Sequence, residues 1–286
     1  MKKITKTIVT MLALVSVLVC STVLFTGCGE QKTDNTLKVG MECGYAPFNY
    51  TQTDDANGAV KISNAPGYAN GYDVMIAKKV AEELGKELVI VKYEWDALVN
   101  AVQTGTLDFI IAGMSPTADR LETIDFSDAY YESHLVVVVR KDGKYANATS
   151  LADMNGAKIV AQNGTFHDKA LGEQAAAHGI VRQTPMDTFP AMINALNTKA
   201  IDGYVAEEPG AVADCAANPE LTYIHLENNK TGFTASAEDT QIAVGLKKNS
   251  DLKAGVNAAL AKLSAADRLS LMNKATELAT GKNVQE

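Results

Sequence analysis

Histidine and cysteine occur four times each, and tryptophan once, in 286 residues. The four histidines are scattered, with no Cys/His or Ser/His motif and no metal-ligand spacing, so nothing in the chain spells a catalytic pair, a metal centre or a cofactor. Of the cysteines, Cys20 lies in an apolar leader and Cys28 at its end. That leaves Cys43 and Cys215, far apart in sequence, which read as two partly buried free thiols rather than a bridge. Basic residues are also short, 26 against 34 acidic ones for a net charge of −8. Removing Lys2, Lys3 and Lys6 with the leader leaves 23 against 34, or −11, which argues against a nucleic-acid partner.

What is present begins with that leader. Three lysines precede an uncharged run over residues 8–25 with small polar residues near its end, the layout of a secretory signal. The run is also long enough to span a bilayer, and its ending decides between the two. Leu24-Phe25-Thr26-Gly27-Cys28 resembles the lipobox of bacterial lipoproteins, with Phe25 where leucine is usual. The expectation is a signal over residues 1–27, a lipid-bearing Cys28, a polar tether over 28–36, and an exported chain held at the outer face of the cell membrane or in the periplasm. An ordinary cleaved signal with an incidental Cys28 is the alternative.

About 250 residues remain, enough for one large domain or two ordinary ones. Residues 72–84 carry Ile76, Ala77, Val80, Ala81 and Leu84 at helical spacing, with Gly85 placed to end the helix. A strand over 88–92, a helix over 96–104 and a buried strand over 107–112 follow. Alternating helix and strand predict an α/β fold with largely parallel sheets.

The helix-strand unit recurs 94 residues later. Trp95-Asp96-Ala97-Leu98-Val99-Asn100-Ala101-Val102 aligns with Phe189-Pro190-Ala191-Met192-Ile193-Asn194-Ala195-Leu196, and Thr104, Asp108 and Ala112 match Thr198, Asp202 and Ala206. Such a period is too long for a solenoid and predicts two similar lobes. Ligands of open α/β sheets bind beyond the carboxyl ends of the strands. The candidate site therefore lies in Gly113-Met114-Ser115-Pro116 and the residues to Arg120 after one matching strand, and in Glu207-Glu208-Pro209 after the other.

Ser115-Pro116 has the form of an N-cap followed by proline at the first helical position, a turn that attracts anions. Gly113 allows close approach to the backbone, and Arg120 supplies a planar fork that fits a carboxylate. Glu207 offers the opposite charge in the other lobe, so the pair suits a zwitterion. Glu42 and Tyr45 follow the first strand, 37–41, at the same edge, and Trp95 begins the repeated helix. The aromatics could cover an apolar stem or a cation, and Glu42 could pair with a basic side chain. Core packing of the aromatics, a solvated Glu207 and a surface Arg120 are the plainer alternatives.

Residues 40–48, Gly71-Tyr72-Asp73-Val74, Trp95-Asp96-Ala97-Leu98, residues 112–120 and Asp125-Phe126-Ser127-Asp128-Ala129-Tyr130-Tyr131 resemble, in order, the signatures of the bacterial extracellular amino-acid-binding proteins, solute-binding family 3. The resemblance implies two α/β lobes of periplasmic-binding-protein type, joined by two crossovers and enclosing a free amino acid. The lobes would comprise 37–139 with 236–286, and 140–235, with crossovers within 136–141 and near Thr234. It further implies that Ser115, Arg120 and Thr165 hold the ligand carboxylate, that Gly113 makes a backbone contact, that Glu207 takes the α-ammonium where the family has aspartate, and that Tyr45 and Trp95 sandwich the side chain. Ala112 replaces a serine of some relatives, and residues 51–70 exceed the usual hairpin.

The expected function is capture of an amino acid, arginine or lysine before histidine or glutamine, by a monomeric receptor that delivers it to an ABC permease and its ATPase. A ligand sensor for a signalling receptor and a dehydratase-type enzyme on the same fold are the rival readings.

Overall fold

The computed structural model of the protein describes residues 35–281. The leader, the lipobox and Cys28 lie outside these residues. Thr36, read as the end of the tether, opens the first strand. No helix among the described residues is long and apolar enough to cross a membrane.

The strands in chain order are β1 (Thr36–Met41), β2 (Gly44–Tyr45), β3 (Asn49–Gln52), β4 (Val60–Lys61), β5 (Tyr68–Asn70), β6 (Glu87–Lys92), β7 (Phe109–Ile110), β8 (Ile124–Glu132), β9 (Leu135–Arg140), β10 (Lys158–Val160), β11 (Val181–Arg182), β12 (Gly203–Glu207), β13 (Leu221–Ile224) and β14 (Gln241–Lys247). They form two five-stranded sheets of matching topology, β6-β1-β7-β14-β8 and β11-β10-β12-β9-β13. In each, the first three strands are parallel and the fourth runs antiparallel between the third and the fifth, with Val39 opposite Ile90 and Phe109 in one, and Ile159 opposite Arg182 and Gly203 in the other. This is the two-lobed periplasmic-binding-protein architecture.

The duplication is visible atom by atom. Asp108 accepts the Lys38 backbone N–H at 2.8 Å and returns its own to the Lys38 carbonyl at 2.9 Å. Asp202 does the same with Lys158, at 2.9 and 2.8 Å. Thr104 and Thr198 each turn a hydroxyl back onto the carbonyl four residues earlier, at 3.0 and 2.8 Å, closing the two repeated helices at the same place. The shared Asp and Thr are thus the polar ends of one unit used twice.

Three elements differ from the sequence reading. Leu135–Arg140, assigned to the first lobe and its crossover, is instead an interior strand of the second sheet, between β12 and β13. Its run of valines is buried on both faces, as an interior strand requires, and the chain passes between sheets at Ser133 and His134. The strand expected over 107–112 is regular only at Phe109–Ile110. The helix expected from Ser115-Pro116 starts at Ala118, with Thr117 in the cap position and no side-chain cap bond, and lasts one turn. On the return path, Ala235 packs against the second core and Gln241 enters the first sheet.

Residues 51–70 have a structural role. With Gly44–Tyr45 they make a small antiparallel sheet, β2-β3-β5-β4, and Ile62 bridges to Ile90 of the main sheet. The short strand carrying Tyr45 is thereby fixed on the first lobe.

Candidate functional site

The carboxyl ends of β1, β7, β10 and β12 converge on one cavity lined by Tyr45, Trp95, Ala112, Gly113, Ser115, Arg120, Gln162, Thr165, Phe166, His167, Phe189 and Glu207. Seven of the eight amino-acid-site residues read from the sequence line it. The eighth, Glu42, meets it indirectly, because the Gln162 side-chain amide donates to the Glu42 carboxylate at 2.9 Å. The remaining free space is about 20 Å³, room for about one water molecule, so an amino acid enters only if the surrounding side chains move apart.

Arg120 spans both lobes. Its guanidinium donates to the Ser115 carbonyl at 2.8 Å and, across the cleft, to the Gly164 carbonyl at 3.1 Å, and sits 5.1 Å above the centre of the Trp95 ring. Trp95 itself donates to Gly164 at 3.2 Å. Burial lowers the Arg120 pKa to about 10, opposed by Glu207 and Asp119, so the group stays charged at neutral pH. Thr165 caps the Phe166–Gln174 helix, accepting the Asp168 N–H at 3.3 Å and donating to the Gln162 carbonyl at 2.6 Å.

At the opposite end Glu207 is buried. One carboxylate oxygen lies 2.9 Å from His167 Nε2 and the other accepts the Tyr45 hydroxyl. Burial pushes this carboxyl up, but His167 and the two hydrogen bonds outweigh it and hold the pKa below the usual value, so Glu207 is an anion. Burial and the neighbouring Glu207 push the Tyr45 phenol well above its ordinary value, keeping it a donor.

Tyr45 bridges the lobes. Its ring stacks on Phe189 of the second lobe at 4.2 Å and 15°, and on Phe48 of the first at 5.1 Å. A Cβ on Gly210 would come within 2.9 Å of the ring, and one on Gly113, whose φ is +65°, within 3.3 Å. The ring therefore fits a slot that only these two glycines leave open. In this conformation its stacking partner is Phe189, while Trp95 lies against Arg120.

Beneath the first-lobe loops is a fully buried carboxylate. Asp73 accepts from the Tyr130 hydroxyl at 2.7 Å and from Asn49 at 2.8 Å. Tyr130 in turn accepts the Gly113 N–H at 3.3 Å, and Asn49 the Cys43 N–H at 2.8 Å. One side chain thus ties down both the Gly113 turn and the Glu42–Tyr45 loop. Burial raises Asp73 to about 6, against its two side-chain hydrogen bonds. Burial likewise raises Glu42 to about 7, with the Gln162 bond opposing and Glu94 adding. Cys43 and Cys215 are free thiols, both pushed up to about 12 by burial.

Beyond Trp95 a second cavity of about 140 Å³ is lined by Glu94, Trp95, Asp96, Asn163 and Asp187. Three of its five lining residues are acidic, and it shares Trp95 with the first cavity. Among the described residues, no group of three His, Cys, Asp or Glu side chains could hold a metal ion.

Gln162, Phe166, His167 and Phe189 were not among the sequence candidates. Two carried a signal. Phe189 is the repeat partner of Trp95, and the Lys38–Lys158 correspondence places Gln162-Asn163-Gly164-Thr165 where the other lobe has Glu42-Cys43-Gly44-Tyr45. His167 carried none, since nothing in its neighbourhood announces a partner 40 residues away.

A cleft between two equivalent α/β lobes, cationic at one end and anionic at the other, defines a solute receptor of the periplasmic-binding class. The chain belongs to the bacterial extracellular solute-binding proteins, family 3, whose family model matches residues 37–275. It is 24% identical over 266 residues to the arginine-binding extracellular protein ArtP of Bacillus subtilis, covering 91% of this chain and 95% of that one. It is 30% identical over 200 residues to a probable histidine-binding protein of Campylobacter jejuni, covering 70% and 71%. An amino acid ABC transporter substrate-binding protein of Streptococcus pneumoniae, solved with L-arginine, superposes with a TM-score of 0.73 at 29% identity, covering 85% and 94%.

Proposed function

We propose that this chain is the receptor of an ABC importer, capturing a free basic amino acid, arginine or lysine before histidine or glutamine, between its lobes. The observation that carries the reading is the opposition of Arg120 and Glu207 across one cavity, with aromatic rings between them. Ser115, Gly113 and Thr165 join Arg120 around the ligand carboxylate, Glu207 takes the α-ammonium, and Tyr45 and Trp95 cover the stem. Binding energy shared by both lobes favours the closed form, which the permease and its ATPase would read.

The preference for a cation rests on Glu42 at the pocket's far side and on Glu94, Asp96 and Asp187 around the mouth, which attract positive side chains and leave an anionic one without a partner. The arginine- and histidine-binding relatives agree in class. A monomer anchored outside the membrane through Cys28 completes the proposal, and the family's binding role favours a receptor over an enzyme. Calorimetric titration of ligand-stripped protein should give arginine or lysine as the tightest ligand, with leucine and glutamate far weaker. Tightest binding of leucine or glutamate overturns the assignment.

A further inference from the structure

In the helix Glu208–Ala217, Gly210 is the third residue and is buried, with φ outside the left-handed region. Nothing in the helix itself calls for glycine at this place, since the backbone there suits any residue and alanine is the better helix former. The demand comes from across the cleft. A Cβ on Gly210 would have three atoms of Tyr45 as its nearest neighbours, Cε2 at 2.9 Å, Oη at 3.1 Å and Cζ at 3.3 Å. Nonbonded carbons rest about 3.5–4.0 Å apart, so a methyl group at position 210 and the Tyr45 ring cannot both keep these places.

The ring has little freedom to step aside. Its other edge, Cε1 and Cδ1, faces Gly113, where a Cβ would come within 3.3 Å. Phe48 of its own lobe and Phe189 of the other stack on it, at 5.1 and 4.2 Å between ring centres. Its hydroxyl is tied to Glu207, and the short strand that carries it is held in the small sheet β2-β3-β5-β4. A side chain at position 210 would therefore be relieved by the lobes standing further apart, not by the ring.

We infer that Gly210 is a positioning residue for ligand capture: its missing side chain lets the second lobe come down onto Tyr45, and so sets how far the cleft closes on the amino acid. The inference rests on the amino-acid-binding reading above. Gly113 differs in kind, because it belongs to the lobe of Tyr45 and its φ of +65° accounts for glycine whether the cleft is open or shut. Gly210 meets Tyr45 from the other lobe, so a methyl group there is harmless while the lobes are apart and is felt as they meet. Closure is also what brings Arg120 and Trp95 onto the Gly164 carbonyl, at 3.1 and 3.2 Å. A cleft stopped short would hold the ligand from one lobe at a time, and the shared binding energy that favours the closed form would be lost.

The test uses the mature protein, stripped of ligand, with L-arginine as probe, and compares the parent with Gly210→Ala and Gly172→Ala. Gly172 is the control, an exposed glycine in the helix Phe166–Gln174 of the same lobe, whose Cβ would meet nothing nearer than the Arg182 guanidinium at 3.5 Å. Calorimetric titration should show arginine binding weakened about 5- to 150-fold in Gly210→Ala, the span expected of overpacking by one methyl group, and unchanged in Gly172→Ala. Without ligand, Gly210→Ala should melt no lower than the parent. Trp95, the only tryptophan in the chain, reports the meeting of the lobes through its bond to Gly164. At saturating arginine its emission change in Gly210→Ala should stop short of the parent's. Unchanged arginine affinity in Gly210→Ala overturns the inference. So does weaker affinity accompanied by an equal loss of ligand-free stability, or by the full parental Trp95 change, since either makes Gly210 a packing residue of its own lobe. A parent that binds leucine or glutamate but no arginine overturns the basic-amino-acid reading instead, and the same three proteins are then compared with the ligand found.

Discussion

At Arg120 one side chain holds a conformation and awaits a ligand with the same five N–H donors. In the closed cleft those donors go to two backbone carbonyls, Ser115 in its own lobe and Gly164 in the other. A carboxylate is a stronger acceptor than a carbonyl and takes two parallel bonds from the fork, so in the proposed binding mode the ligand carboxylate replaces Gly164. Arg120→Ala should leave the fold intact and weaken arginine binding by about 2–5 kcal/mol, the usual loss when one member of a buried charge pair is removed. Arg120→Lys should recover only part, because an ammonium cannot form the bidentate pair. Unchanged affinity in the alanine variant would put the carboxylate elsewhere. This residue was legible in the sequence because its turn, its charge and its distance from the strand end all fell in one short segment. The place of His167 in the cavity was not legible, because its contact with Glu207 is made only by the packing of the Phe166–Gln174 helix against β12.

The elements repeat this contrast. Helix and strand periodicities, the α/β class and the duplicated unit could be read because each is written in local apolar spacing and in the paired Asp108/Asp202 and Thr104/Thr198. The assignment of Leu135–Arg140 could not, since a run of valines says that a strand is interior without saying in which sheet. Nor could the start of the short helix before Arg120, where one turn leaves too little pattern to fix its first residue. The buried Asp73 shows how element and site are coupled, because the helix Tyr72–Glu83 presents it at its first turn to Tyr130 of β8 and Asn49 of β3. Asp73→Asn removes one of the two acceptors, so either Tyr130 or Asn49 loses its partner, at a cost of about 1–3 kcal/mol. Urea denaturation at pH 7.5 should register that loss, with weaker ligand binding as the two tethered loops relax. Below pH about 6 the native carboxyl takes up its proton and resembles the amide, so the difference between the proteins should shrink. A gap constant with pH would mean that the charge on Asp73 contributes nothing.

Over the whole molecule, binding chemistry and stability pull in opposite directions. Glu42, Asp73 and Asp214 are all raised by burial, to about 7, 6 and 6, above the 4.5 and 3.8 of free carboxyls. Between those limits the native chain holds protons that the unfolded chain has released, so stability falls as pH rises through the window. Glu207 has the opposite sign, since its lowered value contributes stability that is lost only as pH falls below the usual carboxylate range. The ligand-free protein should therefore melt higher near pH 5.5 than at pH 8, by ~2–4 °C for each kcal/mol that the three groups contribute in a chain of this size. In the proposed binding mode the ionised form of Glu42 favours a basic ligand, so the pH that favours capture is the one at which the empty protein is less stable. On that reading saturating arginine should stabilise the native state, and more so at pH 8, where Glu42 is ionised. Scanning calorimetry at both pH values, with and without arginine, checks the pair of statements. The gap should favour pH 5.5 without ligand and narrow when arginine is present. A ligand-free protein that melts higher at pH 8 would show that the three buried carboxyls are exposed before the cooperative transition, and that the acidic side of the cleft is less closed than its packing implies.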